Sequence, residues 1–425
     1  MTKKMDEMET KNILDEKEES NIQKFFDGSN ILITGGTGFL GKILINKLLT
    51  SCPGINIIYL LVRSKKNKSV DTRVDEIFDD PVFEILKRSS TKYSFHIKGI
   101  AGDCLKPALG LSIYDRKILL GKWPNTYTFT KAVAEDVIRT CSEQIPVGVF
   151  RPGIVISTYQ DPVCGWIDNF YGPTGVIAGA GTGLLRTLRC NPKAVANMVP
   201  VDLCVNSMIA ASWDIYERHN CRSTKSSGSI PVYNFCTTSE NQLTWGEFTA
   251  KTTKYGLMYP TLTAIWYLCY SNTTNRVAHM ISICFLHYLP ALLIDILCLC
   301  LGKKPRLLNT YKKIHKFMNV IAYFSMRDWD FRIDNVEDLW NRMTNIDKQI
   351  FFFDMKQLDW DFFLQQYFRG IRRYLLKDPL ETIPKALIKW NRLYWQHQCL
   401  KAIIYVIIFY IFWFFLKCLF GVLLA

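Results

Sequence analysis

Tyr127 and Lys131 stand four residues apart in the run Thr126-Tyr127-Thr128-Phe129-Thr130-Lys131. On a helix, that spacing places both side chains on one face. A phenol with its ordinary pKa of about 10 is a poor acid at neutral pH, and a nearby ammonium favours its ionised form. So tuned, a tyrosine protonates a carbonyl oxygen while hydride arrives at the carbon. Of the 20 tyrosines, this one alone is followed four positions later by a lysine. The pair needs a hydride source, and the N-terminal region supplies the pattern for one.

Thr34-Gly35-Gly36-Thr37-Gly38-Phe39-Leu40-Gly41 follows the apolar run Ile31-Leu32-Ile33 and precedes Lys42-Ile43-Leu44-Ile45-Asn46-Lys47-Leu48-Leu49 at helical spacing. Gly35 permits a tight turn, Gly38 lets backbone approach a pyrophosphate, and Gly41 brings helix close to strand. The free N–H groups and dipole of the helix N-terminus then face the phosphates. Sites that prefer NADH place Asp or Glu after the second strand. Here Val62-Arg63-Ser64-Lys65-Lys66 has no carboxylate, and Arg63 suits a 2′-phosphate, so NADPH is the expected cofactor. Asp103, beyond the third strand, is expected to accept from the adenine amino group.

The remaining composition narrows the setting. With 425 residues, the chain has room for two or three domains at roughly 150 each. Hydrophobic residues at 49% and charged residues at 21% exclude a disordered chain. A net charge of +14 admits nucleic acid, an anionic membrane or an acidic ligand. The aromatics gather in apolar C-terminal runs, which favours membrane lipid and argues against nucleic acid. The 14 cysteines form no CxxC pair and no zinc-spaced grouping, so no metal is expected and reduced thiols fit a cytosolic setting. Residues 1–28 are polar and lack an apolar core, which argues against a secretory signal.

Strand 31–33, helix 42–49, strand 57–62, helix 71–88 and a third strand from 93–97 ending near Ala101-Gly102-Asp103 imply a parallel α/β sheet. A helix carrying Tyr127 and a strand at 147–150 follow, with helical pieces expected around 183–189 and 202–217. Residues 278–301 and 402–416, the latter continued by 418–425, approach the roughly 20 residues that span a bilayer. The expected division is a polar leader 1–28, a reductase domain 29–256, a membrane-associated segment 257–302, a helical domain 303–400 and an anchor 401–425.

These motifs resemble the extended short-chain dehydrogenase/reductases, and within them the alcohol-forming fatty acyl-CoA reductases. The resemblance rests on the glycine turn with Lys42, on Tyr59-Leu60-Leu61-Val62-Arg63, and on Gly121-Lys122-Trp123-Pro124-Asn125-Thr126-Tyr127 through Lys131. It extends to Arg151-Pro152, Gly165-Trp166-Ile167-Asp168-Asn169, Gly172-Pro173-Thr174-Gly175, Gly179-Ala180-Gly181, Pro200-Val201-Asp202 and His287-Tyr288-Leu289-Pro290-Ala291. It implies a Rossmann-type doubly wound sheet with a C-terminal helical domain. It further implies NADPH-dependent reduction of a long-chain acyl-CoA, through a bound aldehyde, to a primary alcohol and CoA. Tyr127 would donate the proton, Lys131 would bind the nicotinamide ribose, and Pro152 would join the cofactor contacts.

One departure stands out. Between about 116 and 121, at Asp115-Arg116-Lys117-Ile118-Leu119-Leu120-Gly121, the chain passes directly toward Tyr127. Residues 104–126 hold no β-branched run for a fourth or fifth strand, and parallel crossovers alone need about a dozen residues each. Both strands are expected to be missing, together with the Ser/Thr that the resemblance places on the substrate carbonyl. Impaired activity is the expectation, and a catalytically silent, membrane-anchored nucleotide- or acyl-CoA-binding homologue is the alternative. A sterol or sugar-nucleotide dehydrogenase fits the C-terminal region less well.

For 401–425, the aromatics and the basic approach through Lys389, Arg392 and Lys401 favour a transmembrane anchor. Pro290 and Asp295 inside 278–301 suit a kinked, re-entrant or interfacial helix as readily as a span. With NADPH chemistry at 29–217 and the basic flank from Lys303 to Lys316 both placed in the cytosol, a monotopic or hairpin dip is expected there. The catalytic domain then faces the cytosol, on endoplasmic reticulum or peroxisome. A homo-oligomer is left open.

Overall fold

A computed structural model describes residues 19–62, 68–89, 97–101, 126–141, 145–220 and 230–423. They divide into two compact units. The first comprises 1–167, 195–243 and 329–363, the second 168–194, 244–328 and 364–425.

The first unit opens on helix α1 (Asn21–Phe26), within the stretch read as a polar leader. Ser20 caps it, accepting from the Gln23 N–H at 3.0 Å and donating to Asp347 at 2.5 Å. Ile22 and Phe26 are buried. Strand β1 (Asn30–Thr34), helix α2 (Phe39–Ser51) and strand β2 (Ile57–Val62) then form a βαβ unit. β1 pairs with β2 in parallel, Ile31 opposite Ile58 and Ile33 opposite Leu60. The side chains of β2 alternate, with Ile58, Leu60 and Val62 buried, as period-two geometry requires. Ile43, Ile45 and Leu48 of α2 supply the facing apolar stripe.

The single helix expected over 71–88 is broken. Helix α3 (Val70–Phe78) ends before Pro81, where Asp80 caps a short 3-10 turn, and a second helix runs Glu84–Ser89. A proline cannot continue an α-helical hydrogen-bond ladder, and Pro81 sits at the first position of the new turn instead. Strand β3 (Ile97–Ala101) pairs with β2, giving the sheet order β1-β2-β3. That is the 3-2-1 half of a doubly wound sheet. Among the described residues, β1 has no partner on its other side, and Leu32 is 62% exposed.

Helix α4 (Thr126–Cys141) leads to strand β4 (Val149–Pro152). β4 pairs in parallel with Val232–Phe235, and Ile154–Ile156 pairs with Met198–Pro200. Helix Val201–Asn220 packs against α2.

In the second unit, the helical piece expected around 183–189 is corrected. The helix runs Pro173–Gly181, and Thr187–Arg189 is a strand paired with Ser271–Thr273. Gly183 ends the helical path with φ +76°, a conformation that favours glycine, and a Cβ there would meet the Trp266 carbonyl at 2.4 Å.

Among the described residues, two stretches are long and apolar enough to cross a membrane, Arg276–Cys300 and Leu380–Phe414, with mean hydropathies of 2.2 and 1.6. The first packs one face onto its unit. His279, His287, Ala291 and Asp295 are buried, while Met280, Phe285, Leu292, Leu293, Ile296 and Leu299 face outward. His287 accepts from the Arg186 N–H at 3.0 Å, and Asp295 accepts from Arg306, Leu307 and Leu308 N–H at 2.9–3.0 Å. Asp295 thereby caps the returning helix Leu307–Ser325. The terminal helix Ile383–Leu423 begins docked, with Ala386, Trp390 and Leu393 buried, and continues with 403–414 exposed on all sides.

Candidate functional site

The turn between β1 and α2 has the geometry the sequence asks of it. Gly35 has φ +74°, where any side chain would be strained. The Gly38 N–H donates to the Gly35 carbonyl at 2.9 Å and closes the turn. A Cβ on Gly41 would lie 2.4 Å from that carbonyl oxygen and 2.7 Å from the Gly36 Cα. The close approach of helix to turn therefore exists only with glycine at 41. Gly36 is buried, and its Cβ would press Ile45 and Leu60 at 3.2 Å each.

Gly38 is the N-cap of α2 and offers no side-chain bond. The first-turn N–H groups of Phe39, Leu40 and Gly41 have no carbonyl one turn back within the helix. Thr34, Gly35, Thr37 and Gly38 are exposed, so the cradle faces solvent. A diphosphate is the group such a cradle fits: bare amides, a favourable dipole, and no side chain in the way.

Around the cradle stand contacts that sequence reading did not predict. The Phe39 ring stacks on Trp166 with centroids 5.2 Å apart and planes at 16°. Lys42 pairs with Asp80 at 2.7 Å and lies 5.7 Å from the centre of the Trp166 ring. Trp166 is 1% exposed and so braces the start of α2 from below. Asp202, equally enclosed, accepts N–H bonds from Tyr159 and Gln160 at 2.8 Å and Asp161 at 3.0 Å. It fixes the loop that leads to Trp166.

Tyr127 and Lys131 share one face of α4, the ammonium 5.8 Å from the centre of the phenol ring. Tyr127 is 67% exposed. On the same helix, Glu135 receives a two-pronged bond from Arg151 of β4, Nε to Oε1 at 2.9 Å and Nη2 to Oε2. That bond holds the Glu135 carboxyl below its ordinary value and raises the guanidinium further. It ties the helix of the tyrosine to the strand carrying Pro152. The sixteen-residue separation of Glu135 and Arg151 gives no local sequence pattern, although Arg151-Pro152 was among the matching motifs.

The structure thus brings Thr34 to Gly41 together as one cradle, joins Tyr127 to Lys131, and sets Pro152 beside Arg151. Arg63 and Asp103 lie outside the described residues. Among the described residues there is no cluster fit to hold a metal ion.

Comparison with known proteins gives the same pattern from another side. The family described as male sterility protein matches through its NAD-binding part at 33–121 and again at 114–208, and through its second part at 286–378. Fatty acyl-CoA reductase wat of Drosophila melanogaster is 34% identical, covering 93% of each chain over 491 aligned positions. Fatty acyl-CoA reductase 1 of Mus musculus is 29% identical over 487 positions, 92% of this chain and 93% of that protein. Both alignments are longer than the 425 residues of this chain, so these relatives carry residues that have no counterpart here. The two NAD-binding matches overlap at 114–121, where the sequence breaks off its strand pattern. Among solved structures, the terminal R domain from the myxalamid PKS-NRPS biosynthetic pathway aligns with 15% identity. It covers 83% of this chain and 93% of that one, at a TM-score of 0.49.

Proposed function

The chain belongs to the fatty acyl-CoA reductase family, a family of oxidoreductases, and from that premise we propose that it reduces long-chain acyl-CoA to primary alcohol with NADPH, slowly. The observation that carries the proposal is the cradle at Gly35, Gly38 and Gly41, whose third glycine leaves no room for any side chain. When bound, the cofactor would supply one hydride to the acyl carbon, where the thioester C–S bond breaks and CoA leaves as its thiol, and a second hydride to the aldehyde so formed. The amides opening α2 hold its diphosphate, and Arg63 is assigned the 2′-phosphate and Asp103 the adenine amino group. Lys131 holds the nicotinamide ribose, with Pro152 beside it. Tyr127 gives its phenol proton to the carbonyl oxygen.

Slowness follows from what surrounds that phenol. On the reading that the fourth and fifth strands are missing before Tyr127, with the join between about 116 and 121, the carbonyl lacks one of its two expected oxygen partners. Loss of one such donor costs about a hundred- to a thousandfold in rate. Tyr127, at 67% exposure, lies open to water rather than in a closed site.

Membrane placement rests on two apolar stretches of different kind. Residues 401–425 are assigned a transmembrane anchor, with 401–414 exposed on all sides. Arg276–Cys300 is assigned a dip along the surface, because its inward row of His279, His287 and Asp295 is already bonded to protein. The catalytic residues then face the cytosol, on endoplasmic reticulum or peroxisome.

The test is NADPH oxidation by the full chain with palmitoyl-CoA, with the alcohol measured directly. Tyr127→Phe should lower turnover a further hundredfold or more while leaving cofactor binding intact. Cofactor binding without any acyl-dependent oxidation would instead establish the second reading, a silent nucleotide-binding homologue. The lack, among the described residues, of a second neighbour for β1 favours that reading. Failure to be retained on immobilised 2′,5′-ADP would end both.

A further inference from the structure

The second unit contains a cavity of about 470 Å³ that the reductase reading does not use. Its volume lies within the range of small-molecule sites, about 300–1,000 Å³. One wall is Arg189, the last residue of the strand Thr187–Arg189. The opposite wall is the end of helix Leu307–Ser325 and the residues just after it, with Met318, Ala322 and Met326 at four-residue intervals on one face. Tyr323 and Arg327 complete it.

Two features of this lining ask for an anion. The Arg189 Nε is enclosed and has no hydrogen-bond acceptor. A buried guanidinium nitrogen left in that state is expensive, and an oxygen ligand would satisfy it. Arg327 is held ready, its guanidinium 3.9 Å from the centre of the Tyr323 ring and its Nη1 donating to the Tyr323 carbonyl at 2.8 Å. Neither arginine pairs with a carboxylate among the described residues, so two cations line one cavity uncompensated. Planar guanidinium groups match carboxylate and phosphate oxygens two at a time.

The rest of the lining asks for hydrocarbon. Met318 and Met326 are flexible apolar side chains that adapt to an alkyl chain, and Ala322 leaves room between them. His279 also lines it, a buried residue on the helix that turns Val277, Met280 and Ile281 outward.

We propose that this cavity binds an acidic amphiphile, one carboxylate or phosphate head between Arg189 and Arg327 with its alkyl chain along Met318, Ala322 and Met326. The site is separate from the dinucleotide cradle and does not depend on the reductase reading.

The test uses the full chain in nanodiscs of zwitterionic lipid, labelled with a diazirine-bearing long-chain fatty acid and mapped by mass spectrometry. Adducts should concentrate within 318–326. The double variant Arg189→Gln, Arg327→Gln should lose at least tenfold in labelling there, with an unchanged thermal midpoint confirming the fold. Ala322→Trp, which fills the cavity and leaves both arginines, should lose labelling equally. Competition then separates the sources: displacement by oleate marks a fatty acid site, and displacement by oleoyl lysophosphatidate alone marks a lipid headgroup site. Displacement by oleyl alcohol as effective as by either acid would overturn the proposal. So would labelling of 318–326 that the double arginine variant leaves unchanged.

Discussion

At the scale of single residues, Gly41 is the most constrained position in the candidate site. Its missing Cβ is the only thing separating α2 from the Gly35 carbonyl, and the contact is to backbone, which cannot swing aside. Gly41→Ala must therefore push the helix start off the turn. Forced overpacking of this kind costs about 1–3 kcal/mol. The expected outcome is a lowered denaturant midpoint together with loss of retention on immobilised 2′,5′-ADP. Gly28 gives the matched control: it also has positive φ, at +63°, but open space around it. Gly28→Ala should strain its own turn and leave nucleotide retention alone. Equal loss in both variants would mean that retention reports general stability rather than the cradle.

At the scale of elements, α4 is held to β4 by the Glu135–Arg151 pair, and that tie is sensitive to acid. The carboxyl titrates below its ordinary value of 4.5 because the guanidinium bonds to its charged form. Its contribution is therefore complete above about pH 4.5 and disappears as pH falls through the lowered value. The pair is partly exposed, so Glu135→Gln should cost no more than about 1 kcal/mol at pH 7. As pH falls below the lowered value the variant and the parent should converge, as read by urea unfolding over a pH series from 7 downward. A constant difference across that range would remove the pair from the account of α4. This tie also illustrates what the sequence can and cannot reveal. The β1–turn–α2 unit was legible because its determinants, three glycines between an apolar run and a periodic one, are adjacent in the chain. The Tyr127–Lys131 face was legible for the same reason. Glu135 with Arg151, Lys42 with Asp80, and Phe39 with Trp166 were not, since folding alone brings them together. The strand at Thr187–Arg189 was misread as helix because its partner, Ser271–Thr273, lies far along the chain. The break at Pro81 was written in the sequence and was outweighed by the charged periodicity on either side.

At the scale of the whole molecule, the two proposed membrane attachments and the proposed omission would govern behaviour. The terminal helix has 41 residues, about 60 Å at 1.5 Å per residue, enough to dock its first half and cross a bilayer with its second. Removal of 401–425 should leave weaker, salt-sensitive binding to anionic vesicles, because the outward face of Arg276–Cys300 and the cluster Lys303, Lys304, Arg306, Lys312, Lys313 and Lys316 remain. Full release into the soluble fraction at low salt would argue against a surface role for that helix. The omission proposed near 114–121 has the larger consequence. In a doubly wound sheet, the first strand lies inside and has a neighbour on each side. Here β1 pairs only with β2 among the described residues, and Leu32 is 62% exposed. Replacing 114–121 with the corresponding longer segment of the 34%-identical reductase should therefore do two separable things. It should raise the unfolding midpoint by pairing β1 and covering Leu32. It should also raise turnover on palmitoyl-CoA by about a hundred- to a thousandfold, through the restored hydroxyl donor at the carbonyl. Mutating that one donor to alanine in the graft keeps the first gain and removes the second, which separates sheet repair from catalysis. If the graft folds more stably and turnover does not rise, the omitted segment is not what limits this chain, and the cause must lie among the residues already at Tyr127.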